Sequence, residues 1–254
     1  MLLVITVVVV ATNSHAFENL SGWGQDDACN SGFSPTVWYT QGNNTDVRVN
    51  DNNNCASFRR NGLLMSKGSM TIGHDGATGD NDSFGLALGY TPGEVSTTQA
   101  DYLIVEWNSA GLSLVHVIGT GCDGNTIAER GSAGGCTATE ITRAQTLGST
   151  DWGYNTLHDI DVDEFTSNHL EISVDGVTQF DLTPVDVGLS CFPTGGMAFY
   201  NYSQANVLYG SLQIDESEPG LPCAPACDSV LMENPEFVVN DVAADFNQIG
   251  RAHV

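Results

Sequence analysis

The chain has 254 residues, of which 41% are hydrophobic, enough to bury the core of one large β-sandwich or of two small domains. Acidic residues outnumber Lys and Arg 31 to 7, and the formal charge is −24. So anionic a chain repels phosphate backbones and anionic lipid, which argues against nucleic acid and membrane surfaces as partners. The same charge suits a salt-rich medium and calcium, which favours several carboxylate and carbonyl oxygens.

Leu2 to Ala11 is an almost purely apolar run, too short to span a bilayer. Thr12-Asn13-Ser14-His15-Ala16 follows, with small residues at Ser14 and Ala16. Together they predict a signal peptide over residues 1–16, a mature chain starting near Phe17, and a secreted protein with no membrane insertion. No Lys or Arg precedes the apolar run. Seven cysteines fit an oxidising compartment. Cys122 and Cys136 flank a Gly-rich loop and predict a local disulfide; Cys29 with Cys55 is a second. Cys223-Ala-Pro-Ala-Cys227 lacks the second pair that a zinc site needs. The odd count means that one cysteine pairs elsewhere or that its partner is missing.

Segments alternate with period two and are cut by Gly, Asn, Asp and Pro clusters, the pattern of an all-β chain. In chain order the predicted strands are Leu63–Ile72, Phe84–Tyr90, Tyr102–Trp107, Leu112–Ile118, His158–Asp163, His169–Asp175, Val177–Leu182, Gly196–Tyr202 and Asn206–Ile214. Asp175-Gly176 predicts a two-residue hairpin turn. The two glycines of Phe84-Gly85-Leu86-Ala87-Leu88-Gly89-Tyr90 mark places where another backbone or layer comes close. The expected fold is two antiparallel sheets packed face to face, a jelly-roll or concanavalin-like sandwich over residues 17–216. Asp215-Glu216-Ser217-Glu218-Pro219-Gly220 is an acidic break, and residues 217–248 read as linker and truncated tail. The last six residues, Ile249-Gly250-Arg251-Ala252-His253-Val254, match the translation of a common short-read sequencing adapter and are expected to be artefact.

The order of these elements resembles the C-terminal domain of thrombospondins and related laminin-G-like modules. Asp80-Asn81-Asp82 stands where that family has an acidic triplet, followed by Phe84-Gly85 and Gly89-Tyr90. Trp107 ends the next strand, and Gly195-Gly196, Phe199 and Ser203-Gln204 match the final strand pair. Trp152 through Gly176 is similar to the laminin-G pair of strands closed by an Asp-Gly turn. The resemblance implies an extracellular adhesion or recognition module, with Ca²⁺ as its ion. Its partner would be an extracellular-matrix or cell-surface protein or a glycan. Asn81 replaces the middle acid of the triplet, and the chain has no Arg-Gly-Asp.

Two clusters carry candidate chemistry. Asp75, Asp80 and Asp82 lie in a Gly-rich loop, which can wrap Ca²⁺ with side-chain and backbone oxygens, although the spacing is not that of an EF-hand. His158-Asp159-Ile160-Asp161-Val162-Asp163-Glu164 puts three aspartates on one face of a strand, as some jelly-roll glycoside hydrolases do. Glu164 falls off that alternation, so the expected reading is an amphipathic strand with Ile160 and Val162 inward and no catalysis. No Gly-x-Ser-x-Gly supports a serine nucleophile. The leading expectation is therefore a non-enzymatic recognition module. The alternatives are a glycan-binding accessory domain, a jelly-roll glycoside hydrolase, and a structural surface module. Asn-x-Ser/Thr sequons begin at Asn19, Asn43, Asn81 and Asn201.

Overall fold

The computed structural model describes residues 16–50, 54–74, 82–97, 99–108, 110–144, 147, 152–153 and 155–215. The chain divides into two compact units, Met1–Pro222 and Cys223–Val254, the second wholly outside the described residues. The expectations for residues 1–15, 217–248 and 249–254 likewise fall outside them. In chain order the elements are β1 (Gly24–Cys29), β2 (Trp38–Thr40), β3 (Val47–Val49), β4 (Cys55–Leu64), β5 (Lys67–His74), β6 (Ser83–Tyr90), α1 (Glu94–Thr97), β7 (Ala100–Asn108) and β8 (Gly111–Thr120). Then follow α2 (Gly124–Ala128), β9 (Ser132–Ala133), β10 (Gly135–Arg143), β11 (Thr156–Phe165), β12 (Leu170–Val174), β13 (Val177–Leu182), β14 (Gly196–Tyr202) and β15 (Val207–Asp215).

They build the expected two-sheet antiparallel jelly-roll sandwich. An eight-stranded sheet runs β1-β4-β14-β6-β7-β8-β10-β9, and a seven-stranded sheet runs β13-β12-β11-β5-β15-β3-β2. Every strand pairing within the two ladders is antiparallel. Between the sheets, Phe84, Leu86, Leu88, Leu103, Val105, Trp107 and Phe199 meet Ile72, Ile160, Val162, Val174 and Tyr209 in one buried cluster. Phe199 is wedged between Trp23 (5.6 Å) and Tyr209 (5.0 Å).

The eight-stranded sheet is buried on its outer face as well. Phe58, Tyr90, Tyr102 and Tyr200 form a second cluster there, with ring centroids 4.9–5.5 Å apart. The short helices α1 and α2 pack over it, against β1, β4, β7, β8 and β10. This is why β6 and β14 read as continuous apolar runs and are buried at every position. The two glycines of β6 sit at close approaches, as expected. A Cβ on Gly85 would fall 2.0 Å from the Val105 carbonyl oxygen, and one on Gly89, whose φ is +73°, would fall 2.8 Å from that of Pro193.

The sequence pattern misplaced one strand, missed five, and missed all but the last two residues of a sixth, β4. Leu63–Ile72 is not a single strand, because β4 ends at Leu64 in one sheet and β5 begins at Lys67 in the other. Met65, 3% exposed, turns into the inter-sheet core at the crossing. The missed strands are β1, β2, β3, β9 and β10. β2, β3 and β9 span only two or three residues, too few for alternation to register. β1 reads Gly-Gln-Asp-Asp-Ala-Cys, and its polarity is accounted for by Asp26. Asp26 receives two hydrogen bonds from Arg60 (2.8 Å each), one from Tyr90 Oη (3.0 Å) and one from the Gly93 amide (2.7 Å).

Cys122–Cys136 and Cys29–Cys55 are both bridged. The first closes a loop of 14 residues between the end of β8 and β10. Cys191 is disulfide-bonded too. Replacing Cys122 and Cys136 together by serine is expected to lower stability by about 3 kcal/mol, from loop entropy. Urea unfolding checks this, and an unchanged midpoint would show that the bridge constrains nothing.

Stability should also fall as pH rises. Burial of Glu94 raises its pKa from 4.5 to about 7, against the Thr91 amide that bonds it at 2.6 Å. Since the folded value is the higher, the folded state holds a proton that the unfolded state has lost. That contribution is full below pH 4.5 and is lost by about pH 7. His169, between Asp181 and Glu164, is also raised and so acts in the same direction, its contribution lost as pH rises through its folded value. Melting temperature is therefore expected to fall between about pH 5 and pH 8, less steeply in Glu94→Gln. A flat profile in the wild type would contradict this.

Candidate functional site

A polar cleft of about 540 Å³ opens at one end of the outer face of the eight-stranded sheet, lined by Asp82, Ser83, Asn108, Glu129, Arg130, Glu140, Arg143 and Tyr202. Strand register explains the convergence. Tyr200, Gly85, Glu106, Ser113 and Arg143 are successive partners across β14, β6, β7, β8 and β10, so they form one row. Two residues along, Tyr202, Ser83 and the end of β7 at Asn108 form the next. Gly85 leaves room in the first row, where the Ser83 and Tyr200 hydroxyls meet at 3.2 Å.

β10 reaches the cleft through a bulge. Strict alternation would put Glu140 and Arg143 on opposite faces, but the register shifts between Glu140 and Thr142. One extra residue therefore turns both into the cleft, where they pair, with Arg143 Nε 2.9 Å from Glu140 Oε1. Arg130 arrives from the turn after α2, which Asp123 caps by accepting from the Thr126 amide at 2.7 Å. Arg130 has φ +54°, a left-handed backbone uncommon for a non-glycine residue. Its guanidinium holds the carboxylate of Glu106 and donates to the Ala128 carbonyl.

Glu106 is fully covered. Its Oε1 accepts from both Arg130 and Asn108 Nδ2, the latter at 2.6 Å. Its Oε2, and the Oγ of its register partner Ser113, are buried without a hydrogen-bond partner among the described residues. Burial raises the Glu106 pKa, and Arg130 opposes that rise. A buried carboxylate thus fixes two of the side chains that face the cleft.

The expected calcium loop bears on this site at one residue. Asp82 lines the cleft, while Asp75 and Asp80 lie outside the described residues. Among the described residues no group of three or more His, Cys, Asp or Glu is placed to hold a metal ion. The second sequence cluster lies elsewhere, on the outer face of the seven-stranded sheet. There Ile160 and Val162 point into the core and Asp159 is exposed, as the alternation implies. Asp161 and Asp163 share a smaller groove of about 290 Å³ with Lys67, Gln213 and Asp215. Burial and the neighbouring carboxylates of Asp163 and Asp159 raise the Asp161 pKa, and Lys67 offsets them. His158 turns the other way, its ring nitrogens 2.7 Å from Asp175 Oδ2 and 3.0 Å from the Trp152 carbonyl, so it fastens the β12–β13 turn to β11. Of the sequons, Asn19 and Asn43 are exposed and Asn201 is fully buried, donating to the Gln204 carbonyl at 3.0 Å.

Sequence reading missed the cleft because its parts are far apart in the chain. β10 carried no strand signal, and Glu106 sat unremarked in Tyr102-Leu103-Ile104-Val105-Glu106-Trp107. A lone acid in an otherwise apolar run was the available sign.

No protein-family model and no curated protein sequence matches the chain. Solved structures do. The carbohydrate-binding module CBM66 from Bacillus subtilis is similar over 76% of this chain and 93% of its own, at 9% identity and a TM-score of 0.44. A Bacillus subtilis protein with a galectin-like fold is similar over 78% of this chain and 90% of its own, at 6% identity and 0.47. A galectin from Caenorhabditis elegans is similar over 73% and 99%, at 10% identity and 0.33. At these identities the likeness is one of fold and says nothing of function.

Removing the guanidinium beneath the cleft should be far worse than removing the charge that it neutralises. Arg130→Met leaves a buried unpaired carboxylate and is expected to cost about 3–5 kcal/mol at neutral pH, less in acid as Glu106 protonates. Arg130→Met/Glu106→Gln should recover most of the loss. Urea unfolding of the three proteins checks this, and a single variant as stable as the wild type would show that the pair is not buried in solution.

Proposed function

We propose that the chain is an extracellular glycan-recognition module that holds sugar in the cleft between the ends of β6, β7, β10 and β14 and the turn after α2. The observation that carries this reading is the cleft's make-up. Carboxylate, amide and guanidinium groups face the same space of about 540 Å³, beside the Tyr202 ring. Sugar hydroxyls come in adjacent pairs, each able to donate and accept. Planar side chains with two polar atoms engage such pairs through two hydrogen bonds at once. Here Asn108, Arg130, Glu140 and Arg143 are held in place by their own hydrogen bonds, which reduces the ordering cost of binding. The bridged cysteines support an oxidising, extracellular location. No helix among the described residues is long and apolar enough to cross a membrane. Adhesion to a matrix or cell-surface component, implied by the thrombospondin resemblance, extends this reading to a glycan carried by another molecule.

One observation favours hydrolysis as a second reading. Glu106 is a carboxyl with a raised pKa beside the cleft, and glycoside hydrolysis needs one carboxylic acid kept protonated. A general acid must also reach the leaving oxygen, however, and Glu106 is fully covered by its neighbours. Binding is therefore preferred.

Affinity electrophoresis against a panel of soluble polysaccharides tests both readings. At least one should retard the protein, and Asn108→Ala or Arg143→Ala should weaken that binding about tenfold or more, the loss of a charged or paired hydrogen bond. Retardation unaffected by either variant would place binding elsewhere. Release of reducing ends, abolished by Glu106→Gln, would establish hydrolysis instead.

A further inference from the structure

The charges of the cleft restrict the sugars that it can take. Arg130 and Arg143 are its only cations among the described residues, and each is already spent on a carboxylate, Arg130 on Glu106 beneath the floor and Arg143 on Glu140 beside it. Asp82 and Glu129 add two more negative groups to the lining. The five ionisable lining side chains, three acids and two arginines, sum to −1 before the buried Glu106 is counted. An incoming carboxylate or sulfate would meet no unpaired guanidinium and several acids.

Among the described residues no further cation lines the cleft, and Arg48 sits on β3 of the seven-stranded sheet. Among the described cations, Arg60 is bonded by both Nε and Nη2 to Asp26, and Arg59 donates to the Leu20 carbonyl and to Thr40. Lys67 lies on the seven-stranded sheet, in the groove with Asp161 and Asp163. At a formal charge of −24 the long-range field repels polyanions before any contact forms. An uncharged sugar feels no such field. Its hydroxyls donate to the carboxylates and accept from the guanidinium and amide groups, so the paired charges serve it as fixed donors and acceptors.

We infer that the cleft binds neutral glycans and excludes uronic-acid and sulfated ones, and that this selection is electrostatic. The inference rests on the glycan reading above and deepens it. Like-charge contact at an interface is costly enough to weaken binding about a hundredfold.

The test is affinity electrophoresis or calorimetry at low ionic strength with neutral polymers (a mixed-linkage β-glucan, laminarin, galactomannan) and anionic ones (polygalacturonate, alginate, heparin). Retardation by a neutral polymer, and by none of the anionic ones, is the expected result. Glu140→Gln, which releases Arg143, is expected to admit polygalacturonate at low salt and to lose it again as salt is added. Wild-type binding to an anionic polymer at low salt leaves the glycan reading standing and overturns the exclusion. No retardation by any polymer overturns the glycan reading and this inference with it. A Glu140→Gln protein that folds, binds the neutral polymer and still rejects every anionic one would show that shape does the excluding, and would overturn the electrostatic argument.

Discussion

The eight-stranded sheet must bury both of its faces, and most of the rest of the molecule answers to that. One face packs on the second sheet. The other carries Phe58, Tyr90, Tyr102 and Tyr200, too much aromatic surface to leave in water, and is covered by α1, α2 and the turns around them. Strands in the middle of such a sheet cannot put polar side chains outward without cost. Two carboxylates that occur there are each given partners. Asp26 gathers Arg60, Tyr90 and Gly93, and Glu106 gathers Arg130 and Asn108.

The cleft follows from this cover. The turn after α2 brings Arg130 to Glu106, with Arg130 itself in a left-handed backbone conformation. Beyond that point, among the described residues, a cleft opens at the row ends of β6, β7, β10 and β14. A site placed at the boundary between a covered and an uncovered sheet face is rigid on its inner side, where ion pairs hold it, and solvated on its outer side. That combination suits recognition of a hydroxyl-rich ligand, since directional donors must be aimed in advance and the ligand must shed little water to reach them.

Charge acts at two scales in the same molecule. Locally Arg60, Arg130 and Arg143 are each consumed by a carboxylate, which leaves little net positive surface around them. Globally the excess of acids goes to exposed strand faces such as Asp159 on β11 and to turns such as Asp175. Raised carboxyl groups, notably Glu94 at about 7, record where that excess is pressed into the interior.

Much of the architecture was legible in the residues. Period-two alternation fixes the inward set of a strand whatever its partners, so β11, with Ile160 and Val162 inward, could be read directly, as could the Asp175-Gly176 turn and the glycines of β6. The local disulfide was legible because its loop is short and Gly-rich. What alternation cannot encode is pairing. Very short strands carry too few residues for a period, a bulge in β10 resets its face, and a strand that crosses between sheets, as the chain does at Met65-Ser66, still alternates on both sides of the crossing. Of these, the cleft depends on pairing and on the bulge in β10. Asp82, Glu106, Arg130, Glu140 and Arg143 come together only through the register of β6, β7, β8 and β10 and the docking of α2. Register is set by which long-range partners bury the most surface, a property of the folded whole.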